Sequence, residues 1–537
     1  MELTDHSLKQ LTPEFIKNQS HDDLICLSLK LLKDLQESRD RLNQNSSNSS
    51  RPPGSMPPWE KTDQKENDDT ADKNEPGADP DVQGAPRQPD DSPSEAPSAP
   101  EESNDTNTAD PEGKKRSPGK QPGAPGFGKT WNPSATEEAH HCHPEQCCCC
   151  DRALNPDNCV AYTSFHQVDI GLGDATHPGL VVKVTPYILY ENTCICGHHN
   201  RYNPQAEALG GVWEGIQLSE WRWIAPTLAA FIAHLKMKFR LPIRKIQEML
   251  GHFGLHLSTG CIQRCYEESG AAVAPLEAPI QEALLEEMLV HADETIWIEN
   301  NKTLWLWVFN TASVVYYCVG KRTKQLFQEV LNASFCGWLM SDGYGAYRHY
   351  DKRLRCWAHL LRKARGLAES MDATGRAFGQ QAVSVLETLM DAIYDWRAQN
   401  HPEEHTQALA TAHQSLLETF KETCEQYGDS AIQHEKTRNL AREFLNDWAA
   451  IFRIVEHPCL PLTNNEAERS LRPWVLMRKI CYGSRSQRGT KTFTLLASVI
   501  DTCRRRGVDS IRFLAHAIDA ARKGAKISMI SQAAEGT

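Results

Sequence analysis

The sequence predicts a multidomain α/β protein, and three observations predict it. Between residues 287 and 320, β-branched and aromatic runs alternate with turn residues, and a helical run and a fourth apolar run follow. From 357 to 450 the periodicity is helical with no strand signal. A Cys/His-rich stretch, 140–200, stands apart from both in composition. The chain has 537 residues, 40% hydrophobic and 24% charged, enough for about two to four domain cores. That composition excludes a collagen, a disulfide mini-protein and a wholly disordered chain. No run approaches the roughly 18 apolar residues of a transmembrane helix. MELTDHSLKQLTPEF has no basic stretch followed by an apolar one, so no secretory signal is expected and the cytoplasm is the default compartment. There the 18 cysteines read as core residues or metal ligands before disulfides.

The elements follow in order. Residues 1–50 form a leader whose helix, DDLICLSLKLLKDLQESRDRL, sets Leu24, Leu27, Leu31, Leu35 and Leu42 near one stripe. It either docks on a later domain or pairs as a short coiled coil. Residues 51–130 are rich in Pro, Gly, Ser, Asp and Glu and read as a disordered linker, because they cannot bury enough apolar surface to offset chain entropy. The linker ends in KKRSPGKQPGAPGFGKT, which is either a phosphate-binding strap or a solvated hinge. A Cys-rich module is expected at 131–205 and a helical segment at 206–284. In that segment PIRKIQEML, the break GHFGLHLS and TGCIQRCYEESG suggest a helix-turn-helix, with Ser258 or Thr259 as the second helix's N-cap. The principal α/β domain spans 285–525, with a helical insertion near 366–460, and 526–537 is a tail. In that domain MLVHADETIWIEN, TLWLWVFN and SVVYYCVG are three strands, KRTKQLFQEVLNA a helix and CGWLM a fourth strand. This order is the opening of a ribonuclease-H-like fold.

The net charge of −12 is misleading, because residues 51–112 hold 17 Asp/Glu against 5 Lys/Arg and so carry all of it. From Asn464 onward basic residues outnumber acidic ones more than twofold. The acidic linker is then either a passive tether or a competitor of a polyanion for that basic surface. If it competes, deleting residues 60–112 tightens non-specific DNA binding at low salt. The effect shrinks towards physiological salt, where the Debye length falls to about 8 Å. Coincident salt titrations of the deleted and full-length proteins would leave only the tether.

Asp293 sits inside the first apolar strand, where a carboxylate is costly unless it is paired or holds a metal. Asp342 ends the fourth strand beside Gly343. With the first and fourth strands adjacent, the two carboxylates lie side by side, an arrangement suited to magnesium or manganese. A third acid is expected from TNNEAERSLRPWVLMRK. Glu468 is preferred to Glu466 because it shares a face with Leu471, which should point to the core.

VHADET, SDGYGAYRHY, RLRCWAHLLRKAR, LTNNEAERSLRPWVLMRK and LLASVIDTCRRRGVD resemble the blocks of bacterial transposases of the insertion-sequence-66 type, of the Asp-Asp-Glu class. The leader, the RSPGKQPGAPGFG segment and the Cys-rich module are similar to that family too. The resemblance implies a catalytic triad of Asp293, Asp342 and Glu468, and it implies a helical insertion before the glutamate. It also matches Cys356 and His359 to a Cys-x-x-His after the second aspartate, for which a core or site-shaping role is expected.

Cys147 and Cys150 have C-x-x-C spacing, and Cys194 and Cys196 form a C-x-C. Together they can hold a structural zinc, and the family resemblance points to the same four. Cys148 and Cys149 compete for register, and His143, His198 or His199 can substitute.

Around Glu468 lie Arg469, Arg472, Arg478, Lys479, Arg485, Arg488 and Lys491, with Arg504, Arg505 and Arg506 beyond. These are expected to bind a phosphodiester substrate. Tyr482 and Trp474 are candidate base-stacking residues, with Trp474 the better fit to the core. The expected function is metal-dependent cleavage at the ends of a mobile element and strand transfer into target DNA. The enzyme would act as a nucleoid-associated homo-oligomer, with or without accessory proteins. The alternative is a catalytically inactive DNA-binding protein derived from a transposon. A zinc-dependent regulator would need no carboxylate triad.

Overall fold

The computed structural model describes residues 21–42, 133–173, 176, 178–399 and 406–531. The expected linker and its basic end, together with the residues before 21 and after 531, lie outside the described residues. The leader helix is α1 (His21–Leu42). Its Leu24 and Leu27 are half-buried, whereas Leu31 and Leu35 are exposed.

The Cys-rich stretch folds as β1 (His140–Cys142), β2 (Val160–Leu172), β3 (Leu180–Thr193) and β4 (His199–Arg201). β2 and β3 form a long antiparallel hairpin running from Leu172↔Leu180 to Val160↔Glu191. β1 lies parallel and β4 antiparallel to β3. A ribbon of β5 (Ala206–Ala208) and β6 (Gln217–Ser219) leads to four helices. These are α2 (Pro226–Met237), α3 (Ile243–His252), α4 (Thr259–Val273) and α5 (Glu277–Leu285). α2 is apolar nearly all round and is buried accordingly. Ser258 caps α4 as expected, its hydroxyl accepting the Cys261 N–H at 3.1 Å. Two helices joined by a capped turn are therefore present, and only the first turns of α4 reach the surface, because the rest is core.

The central sheet holds β7 (Leu289–Glu299), β8 (Lys302–Asn310), β9 (Val315–Gly320), β10 (Trp338–Ser341) and β11 (Arg353–Arg355), with α6 (Lys324–Val330) between β9 and β10. Its order is β11-β10-β7-β8-β9. β7, β8 and β9 form an antiparallel meander, and β10 and β11 run parallel to β7. β11, only three residues long, is a strand that the sequence pattern did not reveal, as are β5 and β6, which fall in the segment 206–284 expected to be helical.

Among the described residues six helices follow: α7 (Trp357–Ala368), α8 (Ala373–Ala398), α9 (Thr406–Ala412), α10 (Gln414–Gly428), α11 (Glu435–Asn446) and α12 (Trp448–Glu456). They share their own core, in which Phe378, Phe420 and Phe444 are fully buried. An ionic seam joins it to the sheet. Asp447, between α11 and α12, accepts hydrogen bonds from Arg353 and Arg355 of β11. Glu443 takes the other arm of Arg355 at 2.6 Å and Lys363 at 2.7 Å. Asp447 and Arg355 are buried, so removing one partner leaves uncompensated charge. Asp447→Ala is expected to cost about 3–5 kcal/mol, read as a lowered denaturation midpoint of the full chain. A loss under about 1 kcal/mol would mean that the seam behaves as an exposed pair.

Three last helices, α13 (Asn465–Cys481), α14 (Gln487–Arg505) and α15 (Ser510–Arg522), return to the sheet and to the upstream helices. The hydroxyl of Ser498 in α14 accepts the Tyr317 N–H of β9 at 2.9 Å. Arg522 of α15 reaches Glu268 of α4 at 2.8 Å. The turn after α13 is fixed to the end of β7: the Ser484 N–H donates to the Ile298 carbonyl at 2.8 Å, and Asn300 returns a bond to Ser484 at 2.8 Å. Gly483 allows this approach. Its φ is +102°, and a Cβ there would overlap the Ile298 carbonyl oxygen.

Candidate active site and metal centre

β7 carries the sequence HADE, and strand alternation sends Asp293 and Glu294 to opposite faces. Glu294 is buried, accepts from Arg322 at 2.9 and 2.7 Å and from the Tyr347 hydroxyl, and is thereby consumed. Arg322 is in turn stacked between Trp305 and Tyr344, at 4.3 and 3.9 Å. Asp293, on the other face, is half-buried and accepts the Glu294 N–H at 2.8 Å.

The parallel ladder of β10 and β7 pairs Leu339 with Val290 and Met340 with His291. Carried two residues further, that register sets Asp342 abreast of Asp293. The Tyr344 N–H donates to Asp342 at 2.9 Å and shapes the turn. Burial first, then the charges of Asp342, Glu294 and Glu468, push the Asp293 carboxyl well above its ordinary range.

Glu468 is brought to this edge by the start of α13. Asn464, fully buried, donates from Nδ2 to the Ala292 carbonyl at 2.8 Å, shares a hydrogen bond with His291 Nδ1 at 3.1 Å, and donates its backbone N–H to Cys356 Sγ at 3.1 Å. It therefore fastens α13 to the residue before Asp293. Sequence reasoning did not single out Asn464. Its position just ahead of a helix was the available signal.

Glu466 and Glu468 part company here. Glu466 is held by Arg505 at 2.7 Å and by Arg469 at 3.4 Å, and the Arg505 hydrogen bond keeps its carboxyl below the usual range. Glu468 Oε1 is a buried atom with no hydrogen-bond partner among the described residues, 3.5 Å from His359 Nε2. Cys356, His359 and Glu468 bring their ligand atoms all within 4.8 Å of one another. The Cys-x-x-His thus touches the glutamate and the segment that positions it. Burial lowers the His359 pKa, although Glu468 pulls it up. Asp293, Asp342 and Glu468 do not form so close a group among the described residues, and their coupling is electrostatic.

The basic residues divide into two sets. Arg472, Lys479 and Arg485 are exposed, as is Arg469. Arg478 is spent on Thr295 and the Ile296 carbonyl, and Arg488 on Glu267 and the carbonyls of Val212 and Glu214. Lys491 pairs with Glu277 at 2.6 Å. Trp474 is buried core and Tyr482 is exposed.

In the Cys-rich module Cys147, Cys150, Cys194 and Cys196 converge within 4.8 Å of one another. Sγ atoms lie 3.6 Å apart for Cys147 and Cys196 and 3.7 Å apart for Cys150 and Cys194. Both cysteine pairs sit on tight turns: Asp151 N–H donates to the Cys147 carbonyl at 2.9 Å, and Gly197 N–H to that of Cys194 at 2.8 Å. Burial raises the Cys147 thiol, but the N–H groups of Cys149 and Cys150 outweigh it and the net effect is a fall to about 6. Cys150 is raised to about 12; the Arg152 N–H lowers it, but the sulfurs of Cys196, Cys194 and Cys147, with burial, outweigh that. Four sulfurs this close, two of them stabilised by turns, are a donor set that fits one tetrahedral zinc. Cys148 and Cys149 are exposed and outside the group.

A family model described as "Transposase IS66 family" matches residues 222–492. Two curated relatives from Sinorhizobium fredii (strain NBRC 101917 / NGR234) are similar. The uncharacterized protein y4qI is 26% identical over 326 residues, 55% of this chain and 59% of that protein. The uncharacterized protein y4jD is 24% identical over 322 residues, 54% of this chain and 61% of that protein. The chain thus spans about three fifths of the length of these relatives. The matched residues run from before α2 to within α14 and include Asp293, Asp342, Glu468 and the whole helical insertion, so the chain belongs to the IS66 family of transposases.

Proposed function

We propose that the chain cleaves DNA strands at the ends of its own mobile element and joins them to target DNA, using a ribonuclease-H-like domain with Asp293, Asp342 and Glu468 as the catalytic acids. The observation that supports this reading is the parallel ladder of β10 and β7, paired as far as Met340↔His291, whose continuation brings Asp342, just past β10, towards Asp293, with α13 pinned next to them. The strand order, an antiparallel meander followed by two parallel strands, supports the fold assignment. The donor chemistry fits a divalent cation, for the Asp293 carboxyl is pushed up by burial and then by neighbouring acids, and Glu468 keeps a buried oxygen unpartnered. Bound there, magnesium or manganese would supply activation of water and of a 3′-hydroxyl for in-line displacement at phosphorus.

The protein's own residues have separable tasks in this reading. Asn464 sets the height of Glu468 against β7, and His359 with Cys356 backs the glutamate from the helical side. Arg469, Arg472, Lys479 and Arg485 face solvent and suit phosphate contacts, whereas Arg478 and Arg488 hold the frame. The four-cysteine site is proposed to bind zinc structurally. Exposed Leu31 and Leu35 of α1 support self-association through a paired helix. No helix among the described residues is long and apolar enough to cross a membrane. A nucleoid location follows from the proposed substrate.

The direct test is incubation of the full chain with labelled duplex carrying the element's ends. Magnesium- or manganese-dependent nicking at the end, abolished by chelation, is the expected result. Binding without cleavage under any divalent cation would favour an inactive DNA-binding derivative.

A further inference from the structure

We infer that a cationic cavity at the far end of α13 holds one nucleotide of a DNA strand, its phosphate among Lys236, Arg240, Arg244 and Arg485 and its base against Tyr482. This rests on the transposase reading and extends it to a contact separate from the three carboxylates. The cavity, of about 740 Å³, lies between the end of α2, the start of α3 and the turn joining α13 to α14. That volume falls in the range of small-ligand sites. Its lining holds those four cations and no aspartate or glutamate.

The disposition of charge is what distinguishes this place. Several basic side chains on the neighbouring helices are neutralised, Lys245 by Glu248 at 2.7 Å, Lys491 by Glu277 at 2.6 Å and Arg505 by Glu466 at 2.7 Å, and the exposed Arg472 and Lys479 of α13 do not line this cavity. Arg240, Arg244 and Arg485 have no ion pair or hydrogen bond among the described residues. Lys236 has only the Tyr266 ring, 4.9 Å from its ammonium. Burial holds that ammonium below its ordinary range, a cost that an incoming anion would relieve. Four uncompensated cations around one concavity make a site for a polyanion.

Tyr482 adds the second half of the recognition. It is 79% exposed, lines the cavity and sits in left-handed backbone at φ 59°, next to the Gly483 turn fastened to β7. An exposed aromatic ring on a rigid turn is a stacking platform for an unpaired base. Along α13, Tyr482 stands about 20 Å from Glu468 at ~1.5 Å rise per residue. At ~3.4 Å per nucleotide that is roughly six nucleotides from the proposed cleavage point. The cavity would thus grip the strand away from the chemistry.

The test uses the full chain and fluorescence anisotropy with a random-sequence duplex bearing a single-stranded tail, and with its blunt counterpart, across a range of salt. Arg244→Ala/Arg485→Ala should lower the log–log salt slope of binding by roughly 1.4–1.8. Tyr482→Ala should weaken the tailed duplex roughly tenfold and leave the blunt one unchanged. The exposed pair Lys183→Ala/Lys421→Ala, remote in sequence, should keep the wild-type slope. A retained slope in the arginine variant, or equal weakening of both duplexes by Tyr482→Ala, overturns the inference, while wild-type binding leaves the DNA-binding part of the proposed function standing. Failure of the wild-type chain to bind either duplex overturns both.

Discussion

Asp293→Asn, Asp342→Asn and Glu468→Gln are each expected to reduce strand cleavage at the element's ends by at least about a thousandfold, roughly 4 kcal/mol of transition-state stabilisation. Each change removes a proposed metal-binding carboxylate from the edge where β7, the end of β10 and the start of α13 meet, while keeping the side chain's size. Asp293→Asn also removes a carboxyl that burial and its acidic neighbours already disfavour as an anion. That variant should therefore fold at least as well as wild type in the absence of metal, and its inactivity cannot be laid to unfolding. Glu466→Gln is the matched control, since it loses only the partly exposed pairing to Arg505 and Arg469, worth about 0–1 kcal/mol. End-labelled nicking assays with magnesium or manganese decide the matter. Wild-type cleavage by any one of the three variants removes that residue from the triad, and a Glu466→Gln enzyme as dead as Glu468→Gln would exchange the two glutamates.

The second large effect is expected at the four cysteines. Purified chain should carry about one zinc, and Cys147→Ser or Cys194→Ser should each release it. Structural zinc in small modules contributes about 10–16 kcal/mol of apparent binding energy at neutral pH, so its loss should loosen the sheet of β1 to β4. The consequence should be local. The hairpin meets α2 through Val168, which exchanges backbone hydrogen bonds with Trp223 and Ala225, at a distance from the cysteine turns. Hydrogen exchange should rise sharply over 140–201 and stay slow in β7 and β8. Zinc content unchanged in both variants would assign the metal to other ligands.

Much of this arrangement was legible beforehand because it depends on local pattern. The runs holding Asp293 and Asp342 have the β-branched and aromatic content of buried strands, and β7, β8, β9 and β10 form where those runs lie. The four cysteines had recognisable spacings, and the turns that present them are local. What escaped is non-local. β11 is a strand only because β10 offers it an edge, and its two arginines tolerate burial only because Asp447, over 90 residues later, neutralises them. The clamp formed by Asn464 joins residues 172 positions apart. The separation of the basic residues into braces and free cations was hidden too, since Arg478 and Arg485 look alike until their neighbours are known.

The double attachment of α13 to β7, at Asn464 on one side and at Ser484 on the other, has a consequence for how this lineage can vary. A helix tied at both ends to one strand behaves as a gauge block. Adding or deleting a single residue between 464 and 484 would rotate every later side chain by about 100° and shift it ~1.5 Å along the axis. One fastening would then have to give way. Length differences among relatives should therefore be absent from this interval. They should gather in connections that fix no such spacing.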